Sequence, residues 1–277
     1  MRLRVGAGTS PGRVRELNED VYMSRAAQGL FVVCDGMGGA PAGEVASQVA
    51  ATTILEELDR SPVPAASLRP REGGYRPQTN RLAEAIRRSN QVIYEQGRKN
   101  PRQAEMGTTV VGAWLTQQIA SVAHVGDSRA YLWRDESLEP LTRDHSLAEA
   151  LLGEGLSGGA ASLSAEQENS LVRVLGGETD VEIELKEVPL RSGDYLLLCT
   201  DGLTRMLADR MLGDAISRLR DPQRICDYLI DEANRNGGAD NITVVVVEVG
   251  GSWWRRLANR WRRVATGAND AKAHSAV

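Results

Sequence analysis

The amino-acid sequence predicts an α+β sandwich in which antiparallel β-sheets are covered by helices. Strand-like and helix-like segments come in groups and not in strict strand–helix alternation. Short uncharged apolar runs, from Leu30 to Cys34 and from Tyr195 to Cys199, read as buried strands. Longer segments at 43–59 and 80–99 carry apolar residues at helical spacing and supply covering layers.

Along the chain, 2–9 and 20–24 read as short strands joined by a loop containing Pro11 and Gly12, and 30–35 as a buried strand. The Ala-rich segment from Gly43 to Asp59 places Val45, Val49, Thr52, Leu55 and Leu58 near helical spacing. Residues 61–79, with four Pro, two Gly and three Arg, read as an exposed loop. A helix over 80–99 turns Leu82, Ile86, Val92 and Ile93 inward. Strands follow at 108–116, 119–125 and 128–134, the last two joined at Gly126-Asp127-Ser128. The Gly-, Ser- and Ala-rich stretch 145–170 predicts a short helix from 146 and then a flap. Strands return at 181–189 and 194–199, helices at 204–219 and 222–236, the second with Pro222 near its start, and a last core strand at 241–249.

A chain of 277 residues is long enough to bury a sizeable core without staples. Aromatics are 4% with one Phe, so that core is built from Val, Leu, Ile and Ala. The formal net charge of -4 is unevenly placed: residues 253–277 hold five Arg, one Lys and one Asp, which is +5, leaving -9 on 1–252. An acidic body argues against general nucleic-acid binding. Cys34, Cys199 and Cys226 lie far apart in apolar contexts and read as buried free thiols, which fits a reducing cytoplasm. The start has no apolar h-region of a signal peptide, and no stretch has the length of a membrane span.

Two of the apolar strands end in Asp-Gly, at Asp35-Gly36 and Asp201-Gly202. Arg15, Asn18, Glu19 and Asp20 precede the first, and Asp240-Asn241 opens the apolar run from Ile242 to Val247. Strand ends far apart in sequence can gather at one edge of a folded sheet. Carboxylates gathered there repel one another unless a cation sits among them. Oxygen donors without a Cys/His cluster suit Mg²⁺ or Mn²⁺ and not Zn²⁺. The residues therefore read as a metal-dependent hydrolase with a two-metal centre. Singly, each feature has a plainer reading. Asp-Gly is a common hairpin turn, although here a helix-like segment follows each pair. Asp240 could be a turn or cap residue, 18–20 a solvated loop, and Arg15 a surface arginine. The spacing of Arg15 ahead of the acid pair suits phosphate binding, because a guanidinium grips two oxygens in a fork.

Taken together, Arg15-x-x-Asn18-Glu19-Asp20, Asp35-Gly36-Met37-Gly38-Gly39, Gly107-Thr108-Thr109, Val125-Gly126-Asp127-Ser128-Arg129, Thr200-Asp201-Gly202-Leu203 and Asp240-Asn241-Ile242-Thr243 resemble the protein phosphatase 2C family. This is the metal-dependent (PPM) class of serine/threonine phosphatases, in its bacterial form, and the resemblance runs in order from about residue 5 to 249. It implies a four-layer αββα sandwich, two antiparallel sheets flanked by helices, with two Mn²⁺ or Mg²⁺ ions in a cleft at one end. On that likeness Asp35 bridges both ions and Gly36 offers its carbonyl. Glu19, Asp20, Asp201 and Asp240 complete the shell, some through waters. Asp127, with Asp201 shared, helps hold a third, weaker ion, and Arg15 binds the substrate phosphate. The implied activity is hydrolysis of phosphoserine and phosphothreonine on proteins, opposing a Ser/Thr kinase. A hydroxide bridging the ions attacks phosphorus in line, without a phosphoenzyme. The alternative is a non-catalytic sensor or adaptor on the same fold, which the full carboxylate set disfavours.

One position departs from part of the family, where His follows the first Asp-Gly and can protonate the leaving alcohol. Met37 stands there and cannot. A metal-bound water is left as the acid, and His145 is the remaining candidate. A structural hydrogen-bonding role is the stronger reading for His145, and a satisfied core histidine for His124. The stretch 145–170 matches the variable flap of bacterial members, either a gate or a plain surface loop.

The expected domains are a catalytic domain over 1–250 and a basic tail over 251–277 that ends disordered. As a helix the tail places Trp253, Leu257, Trp261 and Val264 on one face, with Arg255, Arg256, Arg260, Arg262 and Arg263 over much of the rest. That pattern suits peripheral contact of 253–264 with an anionic inner-membrane face, packing on the acidic body, or docking to a partner protein. Otherwise the expected setting is cytoplasmic, the state monomeric, and the partners phosphorylated proteins with no nucleic acid.

Overall fold

The computed structural model describes residues 1–39, 42–60, 74–116, 119–155, 163–168 and 170–250. The chain opens with β1 (Arg2–Ser10), β2 (Asp20–Arg25) and β3 (Leu30–Met37), then α1 (Ala42–Arg60) and α2 (Pro77–Lys99). The middle holds β4 (Gly107–Thr108), β5 (Val110–Leu115), β6 (Ile119–Val125), β7 (Arg129–Arg134) and β8 (Ser137–Pro140), followed by α3 (Leu147–Gly153) and α4 (Ala165–Glu168). The last part runs β9 (Glu184–Pro189), β10 (Tyr195–Cys199), α5 (Asp201–Thr204), α6 (Asp209–Leu219), α7 (Pro222–Arg235) and β11 (Ile242–Gly250).

These strands make two sheets with antiparallel pairing throughout. One is five-stranded in the order β1-β11-β10-β7-β8. The other is six-stranded, β2-β3-β5-β6-β9 with β4 paired to β3. Alternate side chains of one strand serve different layers, because successive residues point to opposite faces. On β3, Phe31 and Val33 meet Leu196, Leu198, Val245 and Val247 between the sheets. Leu30, Val32 and Cys34 on the same strand pack outward with Ile54, Leu82 and Ile86 of α1 and α2. On the far side, Tyr195, Leu197, Val244 and Val246 pack with Leu212, Ile225 and Leu229 of α6 and α7. The central strands β3, β10 and β11 are therefore covered on both faces, which explains why they read as continuous apolar runs. The layers are αββα, as the sequence implied.

Several boundaries differ from the sequence reading for local reasons. α2 begins at Pro77, inside the stretch taken as loop, because Pro occupies the first turn where its missing N–H costs nothing. The segment read as one helix over 204–219 is two: α5 ends at Thr204, and α6 begins only at Asp209. β8 was not foreseen. Asp135 and Glu136, both at positive φ, turn the chain directly from β7 into it. Gly126-Asp127-Ser128 does join β6 to β7, but it crosses from one sheet to the other and so brings Asp127 to the end of the sandwich. The short helix expected from 146 is α3, whose Ser146 side chain caps the Glu149 N–H. Part of the expected flap, 156–162 and 169, lies outside the described residues, as do most of the 61–79 loop and the whole basic tail.

Phe31 is the chain's single Phe and is wholly buried between the sheets. Phe31→Ala should lower the unfolding free energy by about 3–5 kcal/mol in urea denaturation. A loss below about 1 kcal/mol would mean that the inter-sheet layer refills the space.

Candidate metal centre

The acids singled out in the sequence lie at one end of the sandwich, where strands of the two sheets begin or stop together. β2 and β3 pair so that Asp20 faces Asp35. In the other sheet, β10 and β11 bring Asp201, just past one strand, close to Asp240 and Asn241, just before the other. A cleft of about 460 Å³ opens there, lined among others by Arg15, Glu19, Asp35, Gly36, Asp127, Asp201 and Asp240. The glycines of both Asp-Gly pairs are needed for closeness. A Cβ on Gly36 would lie 2.1 Å from the Gly43 carbonyl oxygen, and one on Gly202 would lie 1.9 Å from that of Asn241.

Asp20 does not line the cleft. It is buried behind it, and its Oδ2 accepts from Thr200 Oγ1 at 2.9 Å and Thr243 Oγ1 at 2.7 Å. Thr9 Oγ1 lies 2.7 Å from Thr243 Oγ1 and accepts from Asn18 Nδ2 at 2.8 Å, so a chain of donors ends on this carboxylate. Asp20 Oδ1 has no hydrogen-bond partner, and neither has Asp201 Oδ1, although both are buried. Orphaned buried carboxylate oxygens need a partner, and a cation is the one that fits an acid cluster. The all-oxygen donor set fits Mg²⁺ or Mn²⁺. Asp35 is half-buried and lines the cleft. Its N–H donates to Thr109 Oγ1 at 3.2 Å, and its carbonyl accepts from Thr109 N–H at 2.9 Å.

Electrostatics match the crowding. Burial, then neighbouring carboxylates, pushes Asp35 well above the usual carboxylate range. Burial raises Asp20 to about 7 against the two Thr hydrogen bonds, and raises Asp127 to about 8 with Asp201 adding to the shift. Asp201 also moves up through burial, and the Arg205 guanidinium opposes that shift. Glu19 moves up by burial, with Arg15 pulling the other way. Arg15, over half exposed at the cleft mouth, grips both Asp240 oxygens at 2.9 Å.

Sequence reasoning left several contributors unassigned. Asn241 Oδ1 accepts from the Glu19 N–H at 2.8 Å, while its Nδ2 donates to the Pro11 and Leu17 carbonyls. One side chain thus fixes the loop that carries Arg15 and Glu19. Thr200, Thr243 and Thr109 position Asp20 and Asp35 as above. All stood within the motifs noted, and their neighbourhood to the acids was the available signal. Arg205, one turn beyond Asp201, enters the acid group and was not foreseen.

The histidines behave as read. The His145 N–H donates to the Gly126 carbonyl at 3.0 Å, and His145 Nδ1 accepts the Gly126 N–H at 3.2 Å. His145 therefore braces the turn carrying Asp127 and does not line the cleft. His124, buried, stacks on it and pairs with the Arg143 carbonyl at 2.8 Å. Met37 does line the cleft. The Cys34, Cys199 and Cys226 thiols are free and buried, and burial pushes each of them up.

Comparison with known proteins finds relatives over most of the chain. A sequence profile described as Protein phosphatase 2C matches residues 7–237. The "Serine/threonine phosphatase stp" of Listeria monocytogenes is 36% identical over 243 residues, covering 87% of this chain and 93% of the relative. A crystal structure of the catalytic domain of the serine threonine protein phosphatase PstP, in complex with 2 manganese ions, superposes with a TM-score of 0.75 at 34% identity. That match covers 90% of this chain and 99% of the other. Stp1 from Staphylococcus aureus gives a TM-score of 0.79 at 29% identity, covering 91% and 96%.

The raised carboxyls give the metal-free protein a pH signature. Their folded pKa values lie above the unfolded ones, so the folded state binds more protons and loses stability as pH rises through the folded values. With Asp20 at about 7 and Asp127 at about 8 against an ordinary value of 3.8, the melting temperature in EDTA should fall between about pH 4 and about pH 8, and Mn²⁺ should counter that fall. Calorimetry reads this directly; a flat melting temperature in EDTA would contradict it.

Proposed function

The chain belongs to the protein phosphatase 2C family of serine/threonine phosphatases, and from that premise we propose that it hydrolyses phosphoserine and phosphothreonine on proteins, opposing a Ser/Thr kinase. The observation that carries the reading is the meeting of Asp35, Asp127, Asp201, Asp240 and Glu19 in one cleft, with Arg15 at its mouth. Glu19, Asp35, Gly36, Asp201 and Asp240 would hold the divalent ions, with Asp20 supporting from behind through its free Oδ1. Mn²⁺ is the favoured ion, since a relative of the same fold carries two manganese ions. Bound there, such ions supply Lewis acidity toward phosphoryl oxygens and make water a competent nucleophile at neutral pH.

This chain's own residues do the rest. Arg15 presents a planar fork that, when released from Asp240, fits two phosphoryl oxygens and offsets their charge in the transition state. No Ser, Cys or His lines the cleft among the described residues, and the Thr109 hydroxyl there is engaged by Ser128 and by the Asp35 N–H, which supports direct attack of water on phosphorus without a phosphoenzyme. Met37 holds no proton and His145 is tied to Gly126, so the leaving alcohol takes its proton from water in the open cleft. The complete acid set tells against a non-catalytic adaptor.

We assign 1–250 as the catalytic unit and 251–277 as an appendage, with a monomer as the working state. Among the described residues no helix is long and apolar enough to cross a membrane. Peripheral membrane contact through 253–264 remains a proposal from the Trp/Arg pattern, tested by flotation with liposomes of anionic lipid.

The test is phosphate release from a phosphothreonine peptide. Turnover should require Mn²⁺ or Mg²⁺, stop in EDTA and collapse in Asp35→Asn. A folded protein inactive with both ions would overturn the reading. Arg15→Ala should lower kcat/KM by about 10- to 100-fold, the worth of hydrogen bonds to a charged group, with metal binding retained. An unchanged kcat/KM would remove Arg15 from phosphate recognition.

A further inference from the structure

Arg205 is the second guanidinium in the cleft. It follows α5 directly, and its N–H closes on the Asp201 carbonyl at 2.8 Å, so its side chain rises on the same helical face as Asp201. Its Nη2 pairs with Asp201 Oδ2 and lies 3.8 Å from Asp127 Oδ2, while its Nη1 lies 3.6 Å from Asp240 Oδ2. One delocalised charge thus faces three carboxylates. Two of them, Asp127 and Asp201, are the pair to which the family resemblance assigns a third, weaker ion.

Arg205 occupies the Oδ2 side of that pair and leaves Asp201 Oδ1, which has no partner, for the ions around Asp35. A further divalent ion between Asp127 and Asp201 would need the oxygens that the guanidinium already faces, and both are positive. The other acid beside Asp127 does not compensate: Asp144 is held by Arg129 through two bonds of 2.8 and 2.7 Å. Arg205 is also tethered, so its effective concentration beside Asp127 is fixed by the fold, whereas a weak ion must come from solution. Asp240 differs, because Arg15 grips both of its oxygens from the other side.

We propose that Arg205 stands in for the third ion, neutralising Asp127 and Asp201 from within the chain, so that the loaded enzyme holds two divalent ions and not three. This rests on the phosphatase reading above. In this role Arg205 is a positioning residue: it fixes Asp201 and Asp127 and leaves the chemistry to the cleft around Asp35.

The experiment counts bound Mn²⁺. Chelator-stripped full-length protein is titrated to millimolar Mn²⁺ by calorimetry, and ions are counted by native mass spectrometry, for wild type, Arg205→Ala, Arg205→Gln and Asp127→Asn. Wild type and Asp127→Asn should each bind two ions. Arg205→Ala and Arg205→Gln should gain a third, weaker one, and adding Asp127→Asn to either should remove it. Three ions in the wild type, with one lost in Asp127→Asn, would overturn the inference even if both arginine variants fail to fold. A folded arginine variant that still binds two would overturn it as well. No bound Mn²⁺ and no phosphate release in the wild type would instead sink the phosphatase reading beneath it.

Discussion

The structure turns on the mutual repulsion of carboxylates at the place where two sheets end together. Asp20 and Asp35 come from one sheet, Asp201 and Asp240 from the other, and Asp127 from the crossing between them. Left alone, such a group favours protonation or separation, and Asp20, Asp35, Asp127 and Asp201 are all displaced upward, by burial first and by neighbouring carboxylates second. The protein contains the repulsion with hydroxyl donors on Asp20, with Arg15 on Asp240 and with Arg205 across Asp127 and Asp201. Divalent ions bound among these acids would complete the balance.

That arrangement demands a stiff support. β3, β10 and β11, whose ends carry Asp35, Asp201 and Asp240, are buried along nearly their whole length, so the backbone at their ends is fixed by the core. The loop carrying Arg15 and Glu19 is longer and more exposed, and Asn241 ties it to the start of β11. Close backbone approach at Gly36 and Gly202 keeps the acids within reach of one another. Asp20 adds a further link, since a carboxylate of one sheet is held by Thr200 and Thr243 of the other.

Much of this was legible in the sequence because burial writes itself into composition. β3, β10 and β11 are apolar on both faces, so their limits and the acids at their ends stood out. The order of the Asp-Gly, Gly-Asp-Ser and Asp-Asn motifs then pointed to a single site. What stayed hidden depended on distance in sequence and on side-chain direction. β8 is four residues of mixed polarity and owes its pairing to a turn at Asp135 and Glu136. The break between α5 and α6 interrupts a segment whose apolar spacing suits one continuous helix. Arg205 lies in that segment without a local signal, and only the fold brings Asp127 and Asp240 to it. The donor set on Asp20 joins residues 180 and 223 positions away, which no local pattern reports.

Diffraction from crystals grown with Mn²⁺ and recorded at the manganese absorption edge tests the central claim most directly, because it asks whether these carboxylates are gathered for cations. The account predicts anomalous peaks on either side of Asp35, within reach of Glu19, Asp201 and Asp240, with Arg15 turned away from Asp240. A cleft without anomalous density, its acids paired through protons and arginines alone, would contradict it.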